Sequence, residues 1–338
     1  MRSSSTEGPP LTFPKYVTAS SRRTAPHPPM TSNAETMAAM RAVLAFMSFR
    51  LYLCTNLTKM IYYFSGNGNS KYVAGEIASK AGEKLDDISD YIRMGAVEGG
   101  SSEMPVPDGL EKMTTFGVVF PIHAWGVPEP VWQFLKAAAP KISPDAYKFA
   151  VCTCGDDAGK AIKKLKTIFP YDSAWSVTMP NTYILMFGLD GEDSCVRKIR
   201  RGRERAGEIA KMIKNCEKGV YDVHEGSFPN LKSGPIHSGF TGHPVGPEKF
   251  TVNATLCTGC GLCASNCPVG NIEMRLPASG NVKLPAWGDR CINCMGCIHV
   301  CPTGASDCNG AAAKRGRYNI RYFLKRIGIA EQRPLNRT

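Results

Sequence analysis

From residue 59 onward the chain alternates short apolar runs with amphipathic stretches. MIYYF (60–64), TTFGVVF (114–120) and KFAVCT (148–153) have the length and the β-branched and aromatic content of buried strands. Between and after them lie helical patterns. NSKYVAGEIASKA (69–81) places Val73, Ile77 and Ala81 on one face, and VWQFLKAAA (131–139) is entered through Pro128 and Pro130. GKAIKKLKTIF follows the third strand. Residues 194–217 form a long amphipathic helix, with Val196, Ile199, Ala206, Ile209 and Ile213 inward and the charges of RKIRRGRER outward. Strands alternating with helices predict an α/β fold, a doubly wound parallel sheet covered on both faces. In such a sheet ligands bind at the carboxyl ends of the strands. The loops there read SGNGNS, PIHAWGVPEP and CGDDAG.

The flanks break this pattern. Residues 1–36 are rich in Ser, Thr and Pro with no apolar period, and are expected to be disordered. Residues 37–57 are more apolar, but Arg41 and Arg50 leave only eight residues between them. A membrane helix needs about 20, so no transmembrane helix is expected. Two readings of 1–58 stay open: a targeting segment, or an upstream extension of the gene with Met60 as the natural start. Residues 218–248, with scattered Gly and Pro, read as a loop-like linker. Their histidines, His224, His237 and His243, have no Cys or carboxylate spacing to support a metal. A cysteine-rich module spans 249–310. Residues 311–338 read as a basic tail, within which KRGRYNIRYFLKRIGI can form a short amphipathic helix.

With 338 residues, 43% of them hydrophobic, the chain can bury at least one full core, and the patterns above divide it into a 59–217 domain and the 249–310 module. The net charge of +12 points first to nucleic acid or a membrane surface. Its distribution weakens that reading. Residues 1–58 carry six Lys/Arg and two Glu, and 311–338 carry eight Lys/Arg and one Glu, so the segment between is nearly neutral. The charge is read as solvated ends, and no nucleic-acid partner is expected.

Eight of the fourteen cysteines fall between Cys257 and Cys301. CTGCGLCASNCP and CINCMGCIHVCP are both C-x2-C-x2-C-x3-C-P. Three thiolates two residues apart can wrap one face of a cubane, and the fourth reaches the other cluster. Cys257, Cys260, Cys263 and Cys301 are therefore assigned to one [4Fe–4S] cluster, and Cys291, Cys294, Cys297 and Cys267 to a second. Zinc sites rarely use this spacing. Gly259, Gly261, Ala264 and Gly296 let backbone approach the inorganic sulfur, and Trp287 is read as packing. Iron ligation by thiolates implies a reducing compartment, the cytoplasm. The segment resembles the bacterial two-cluster ferredoxins over about 55 residues, with all eight ligand positions present and a longer insert between the halves.

The loop SGNGNS lacks the Gly-Lys pair of a P-loop, and Lys71 stands where a dinucleotide fingerprint has its third glycine. Hydroxyl, amide and glycine residues at a helix N-terminus suit one phosphate monoester. The competing reading is a strand–helix turn that binds nothing. The segment resembles the first loop of flavodoxin, [ST]-x-T-G-[NT]-[ST], at Ser65, Gly68, Asn69 and Ser70, with Asn67 where that family has Thr. The resemblance implies FMN, its phosphate held by Ser65, Gly66, Asn67, Gly68, Asn69 and Ser70. It also implies that Trp125 contacts the isoalloxazine ring and that Thr153, Cys154 and Gly155 form a further wall.

The order of the two segments resembles fused flavodoxin–ferredoxin proteins of anaerobic prokaryotes, over about residues 59–310. It implies a flavodoxin-like sheet followed by a small ferredoxin-like α+β domain, two [4Fe–4S] clusters and FMN. Three functions follow as expectations. The first is an electron carrier passing single electrons between the clusters and FMN, served by an unidentified redox partner protein. The second is a flavin-dependent reductase of a small substrate, with His123 as proton donor. The third is a nucleic-acid-binding iron–sulfur protein that uses the basic tail.

Overall fold

The first strand already shows how the sheet is covered. In β1 (Lys59–Tyr63) Met60 and Tyr62, followed by Phe64, pack into one apolar cluster, while Ile61 and Tyr63 pack into another on the opposite face. Period-two alternation of apolar residues in both registers makes a strand buried on both sides. The structure, a computed structural model, describes residues 59–97, 104–243, 245–278 and 280–329. The N-terminal extension read at 1–58 lies outside them.

Six strands form one parallel sheet in the order β2-β1-β3-β4-β5-β6. They are β1, β2 (Lys84–Asp87), β3 (Thr115–Pro121), β4 (Tyr147–Cys154), β5 (Ser173–Thr178) and β6 (Tyr221–Asp222). The first five follow the flavodoxin-like order, whose switch point lies between β1 and β3. Helices α1 (Asn69–Ala81) and α5 (Glu192–Lys214) cover one face; α2 (Ile88–Val97), α3 (Glu129–Ala138) and α4 (Ala161–Leu165) cover the other. The strand and helix patterns read from the sequence all appear. β2, β5 and β6 were not foreseen. β2 is a short edge strand of sequence KLDD, with no apolar run to mark it.

The iron–sulfur domain follows in the same compact unit. β7 (Phe250–Val252) pairs antiparallel with β10 (Ser306–Cys308), and β8 (Ile272–Arg275) pairs antiparallel with β9 (Leu284–Trp287). Short helices α6 (Leu262–Ser265) and α7 (Gly296–His299) each follow a cysteine triplet or carry its last member. The protein is thus a flavodoxin-like α/β sheet followed by a small ferredoxin-like domain.

Two sequence readings need correction. Residues 218–248 are not simply a loop. They supply β6 and then a helical strap, Pro229–Leu231, Lys232–Ile236 and His237–Gly242, broken near Pro235. Nor is the described part of the basic tail solvated on every side, although Lys314, Arg321, Lys325 and Arg326 are exposed. It forms α8 (Ala311–Arg315) and α9 (Ile320–Arg326), and Tyr318, Ile320, Phe323 and Leu324 are buried against α1 and α5. Its cations are partly consumed within the protein. Arg315 donates to the carbonyls of Ile184 and Leu185, Arg317 to those of Ile298, Gly304 and Ser306, and Arg326 pairs with Glu192. Among the described residues no helix is long and apolar enough to cross a membrane.

Candidate functional site

β1 delivers the chain to SGNGNS at the carboxyl edge of the sheet. Phe64 N still bonds Val119 O at 2.9 Å, and then the ladder stops. Gly68 turns the chain into α1 with φ +88°, and its N–H is accepted by the Ser65 hydroxyl at 3.1 Å. Among the described residues the N–H groups of Ser65, Gly66, Asn67, Asn69 and Ser70 have no acceptor, and Asn67 Oδ1 is buried without a partner. Donors gathered at a helix start with nothing to bond are the chemistry that a phosphate requires. The residues present therefore fit a phosphate monoester.

The side chains of the loop point elsewhere, and they tie it to four other segments. The Ser70 and Thr153 hydroxyls share a hydrogen bond of 2.7 Å, joining the first loop to the end of β4. Asn69 donates to Pro180 O at 3.0 Å and accepts from the Tyr318 hydroxyl at 2.7 Å. Asn67 donates to Thr182 Oγ1 and to the Cys294 carbonyl, both at 2.8 Å. Asn266 donates to the Gly66 carbonyl at 3.0 Å. A Cβ at Gly66 would lie 3.0 Å from Cys294 Sγ, and one at Gly296 would lie 2.6 Å from Gly66 O. Both glycines allow the iron–sulfur domain to seat directly on the loop. Pro180, Asn181 and Thr182, which follow β5, and Tyr318 belong to this site and were missed. The only signal for them was the PNT turn after a strand that was itself not foreseen.

The second loop is a tight hairpin in which His123 and Gly126 exchange both backbone hydrogen bonds at 3.0 Å. Its central residues, Ala124 and Trp125, have φ +45° and +61°. A type I′ turn normally places Asn or Gly there, so this turn stores roughly 1–3 kcal/mol per strained residue. The strap holds it. Ser233 donates to the Trp125 carbonyl at 2.6 Å and accepts from Lys160 N at 2.8 Å. His237 Nδ1 lies 3.2 Å from Ala124 O, and Lys232 stands 5.3 Å from the Trp125 ring centre while pairing with Asp157 at 2.6 Å. Trp125 thus has a lysine over its ring. Burial, with His237 adding to it, lowers the His123 pKa to about 4, so this imidazole is neutral at pH 7.

In the third loop Cys154 is buried, and its thiol is pushed up to about 12 by burial and by Asp157 and Asp156. It is not a reactive thiol. Gly155 accepts from Lys198 Nζ at 2.8 Å and packs against Asn181.

The eight cysteines of the repeat fall into two groups. Cys257, Cys260, Cys263 and Cys301 line one cavity; Cys267, Cys291, Cys294 and Cys297 line another. Among the described residues no three such side chains converge to hold a single ion. Thiols ringed around a space suit a cubane better than a zinc ion. Gly259 and Asn293 occupy the same place in the two repeats with φ +69° and +58°, as do Gly261 and Met295 with +71° and +59°. The left-handed turns that curl the backbone are therefore kept even where glycine is not.

The two cavities differ in surroundings. Cys260 and Leu262 are exposed on the first, whereas Gly296, the counterpart of Leu262, is buried against the SGNGNS loop. The second cavity's sulfurs receive hydrogen bonds from Asn271 N at 3.2 Å, Asn293 N at 3.4 Å and the Trp287 indole at 3.4 Å. Trp287 does more than pack. His299, between Cys297 and Cys301, donates from Nε2 to Thr182 O at 2.8 Å and accepts Tyr318 N at Nδ1 at 3.1 Å. It pins the iron–sulfur domain to both the loop after β5 and the C-terminal segment.

Residues 256–305 match the 4Fe-4S dicluster domain family. Among solved structures, the chain is similar to an azoreductase from Bacillus anthracis str. Sterne, at 12% identity and a TM-score of 0.31, over 46% of this chain and 99% of that one. It is also similar to an NAD(P)H:quinone oxidoreductase from Methanothermobacter marburgensis, at 14% identity and a TM-score of 0.30, over 46% of this chain and 96% of that one. The fold assignment rests on the strand order. The match at 256–305 supports redox electron transfer.

Proposed function

We propose that this chain is an electron-transfer iron–sulfur flavoprotein, in which single electrons pass between two [4Fe–4S] clusters and FMN. The observation that carries this reading is the contact between the two halves of the site. Gly66 and Asn67, in the loop with the unpartnered N–H groups, pack on Cys294, a ligand of the second cavity. FMN, when bound, supplies a centre that exchanges two electrons in single steps. The loop's N–H groups hold its phosphate, Asn67 and Asn266 hold the loop against the second cavity, and the exposed Cys260 side of the first cavity faces a redox partner protein. Thiolate iron ligands support a reducing compartment, which we read as the cytoplasm.

The carrier reading is favoured over the reductase reading by one feature: Lys232 covers Trp125, where a small substrate would approach. The basic end carries little weight for nucleic acid, because Arg315, Arg317 and Arg326 are engaged within the protein.

The test is anaerobic purification followed by measurement of iron, acid-labile sulfide and released flavin per chain. The reading expects about eight iron and about one FMN. About eight iron with no FMN, even after reconstitution, would leave SGNGNS a structural turn.

A further inference from the structure

Trp287 ends β9, and its ring makes two contacts. It stacks on Phe250, with centroids 5.2 Å apart and planes 14° from parallel. Its Nε1–H donates to Cys297 Sγ at 3.4 Å. Both rings line the second cavity, and the lining of the first contains no aromatic residue. The indole is therefore a donor fixed in place by stacking and directed at one thiolate of one cavity.

A cluster that gains an electron gains negative charge, and a hydrogen-bond donor on a ligand sulfur favours the more negative state. The second cavity is also the one whose Cys294 touches Gly66 and Asn67. We propose that Trp287 is a positioning residue, acting through Cys297, that raises the reduction potential of the second cluster. The inference rests on the two-cluster part of the proposed function and not on FMN.

The test uses the full chain, purified without oxygen and loaded with iron and sulfide. Redox titration monitored by electron paramagnetic resonance is compared for wild type and Trp287→Phe, which keeps a ring against Phe250 and removes the donor. The expected result is a negative shift of one of the two midpoint potentials, with the other unchanged. Two unmoved midpoints, or two that shift together, would overturn the proposal. A second measurement needs no variant. Pulsed resonance on the reduced wild-type protein carrying ¹⁵N-indole tryptophan should show a nitrogen coupling to one cluster, and its absence would equally refute the role. The flavin content of the same preparation decides the FMN reading separately.

Discussion

Gly66 and Cys294 are packed so closely that a single added carbon on Gly66 would lie 2.9 Å from the Cys294 Cβ. One residue belongs to the first loop of the sheet domain and the other to the second cysteine triplet, 228 positions later. Gly66→Ala is therefore expected to push the two domains apart at this point, at about 1–3 kcal/mol. Iron per chain measured after anaerobic purification should fall toward half, the second cluster being lost first.

Asn67 replaces the threonine of the flavodoxin pattern, and its amide spans Thr182 and Cys294. Threonine is too short to bond both. Asn67→Thr should cost about 1–3 kcal/mol through the unpaired carbonyl, read as a lower urea midpoint. If Asn67 is merely a phosphate ligand, the variant will bind FMN no worse and lose no stability.

The two cavities make unequal neighbours for the flavin loop. Cys263→Ala and Cys294→Ala should each lower iron to about half of the wild-type content. Only Cys294→Ala removes a wall of the loop, so only that variant should weaken FMN binding when flavin fluorescence is titrated.

His123 gives a pH dependence of defined sign. Its folded-state pKa is about 4, below the ordinary 6.5. The unfolded chain takes the proton first as pH falls, so the stability is complete above about pH 6.5 and declines between 6.5 and 4. The whole contribution is at most about 3 kcal/mol. Asp86 and Glu83, whose buried carboxyls are raised to about 6 and about 7, act in the opposite sense over much of that range. The difference between wild type and His123→Gln, measured by urea unfolding at several pH values, isolates the histidine and should shrink as the pH is lowered.

The C-terminal helix offers a test of burial. Phe323 is buried and stacks on Tyr318 at 5.6 Å. Phe323→Ala should destabilise by about 3 kcal/mol, whereas Tyr318→Phe, losing only its bond to Asn69, should cost about 1 kcal/mol. A freely solvated tail would show neither loss in thermal unfolding.

Elements with a strong local pattern were legible. The three apolar strands and the helices at 69–81 and 194–217 needed only their periodicity, the second being found at Glu192–Lys214. The illegible parts depend on distant partners. KLDD becomes a strand because Met60–Tyr63 offers it an edge. Trp287 reads as packing until Cys297 is beside its indole nitrogen. Tyr318 and Ile320 sit in a segment whose basic residues suggest solvent, yet their apolar neighbours on α9 need the groove between α1 and α5. Asn67 looks like a weakened phosphate ligand when only the loop is considered, and it becomes a domain tie once Cys294 is placed.

The burial of Tyr318 and Phe323 against α1 has a consequence for how the molecule is made. During synthesis the helix that begins at Asn69 leaves the ribosome well before the residues that complete its packing. The sheet domain is therefore finished only after the whole iron–sulfur domain has emerged. In topological terms that domain is an insertion held at both ends by one α/β unit. Cutting the chain between the strap and β7 would leave two incomplete pieces, the first with part of its apolar face uncovered.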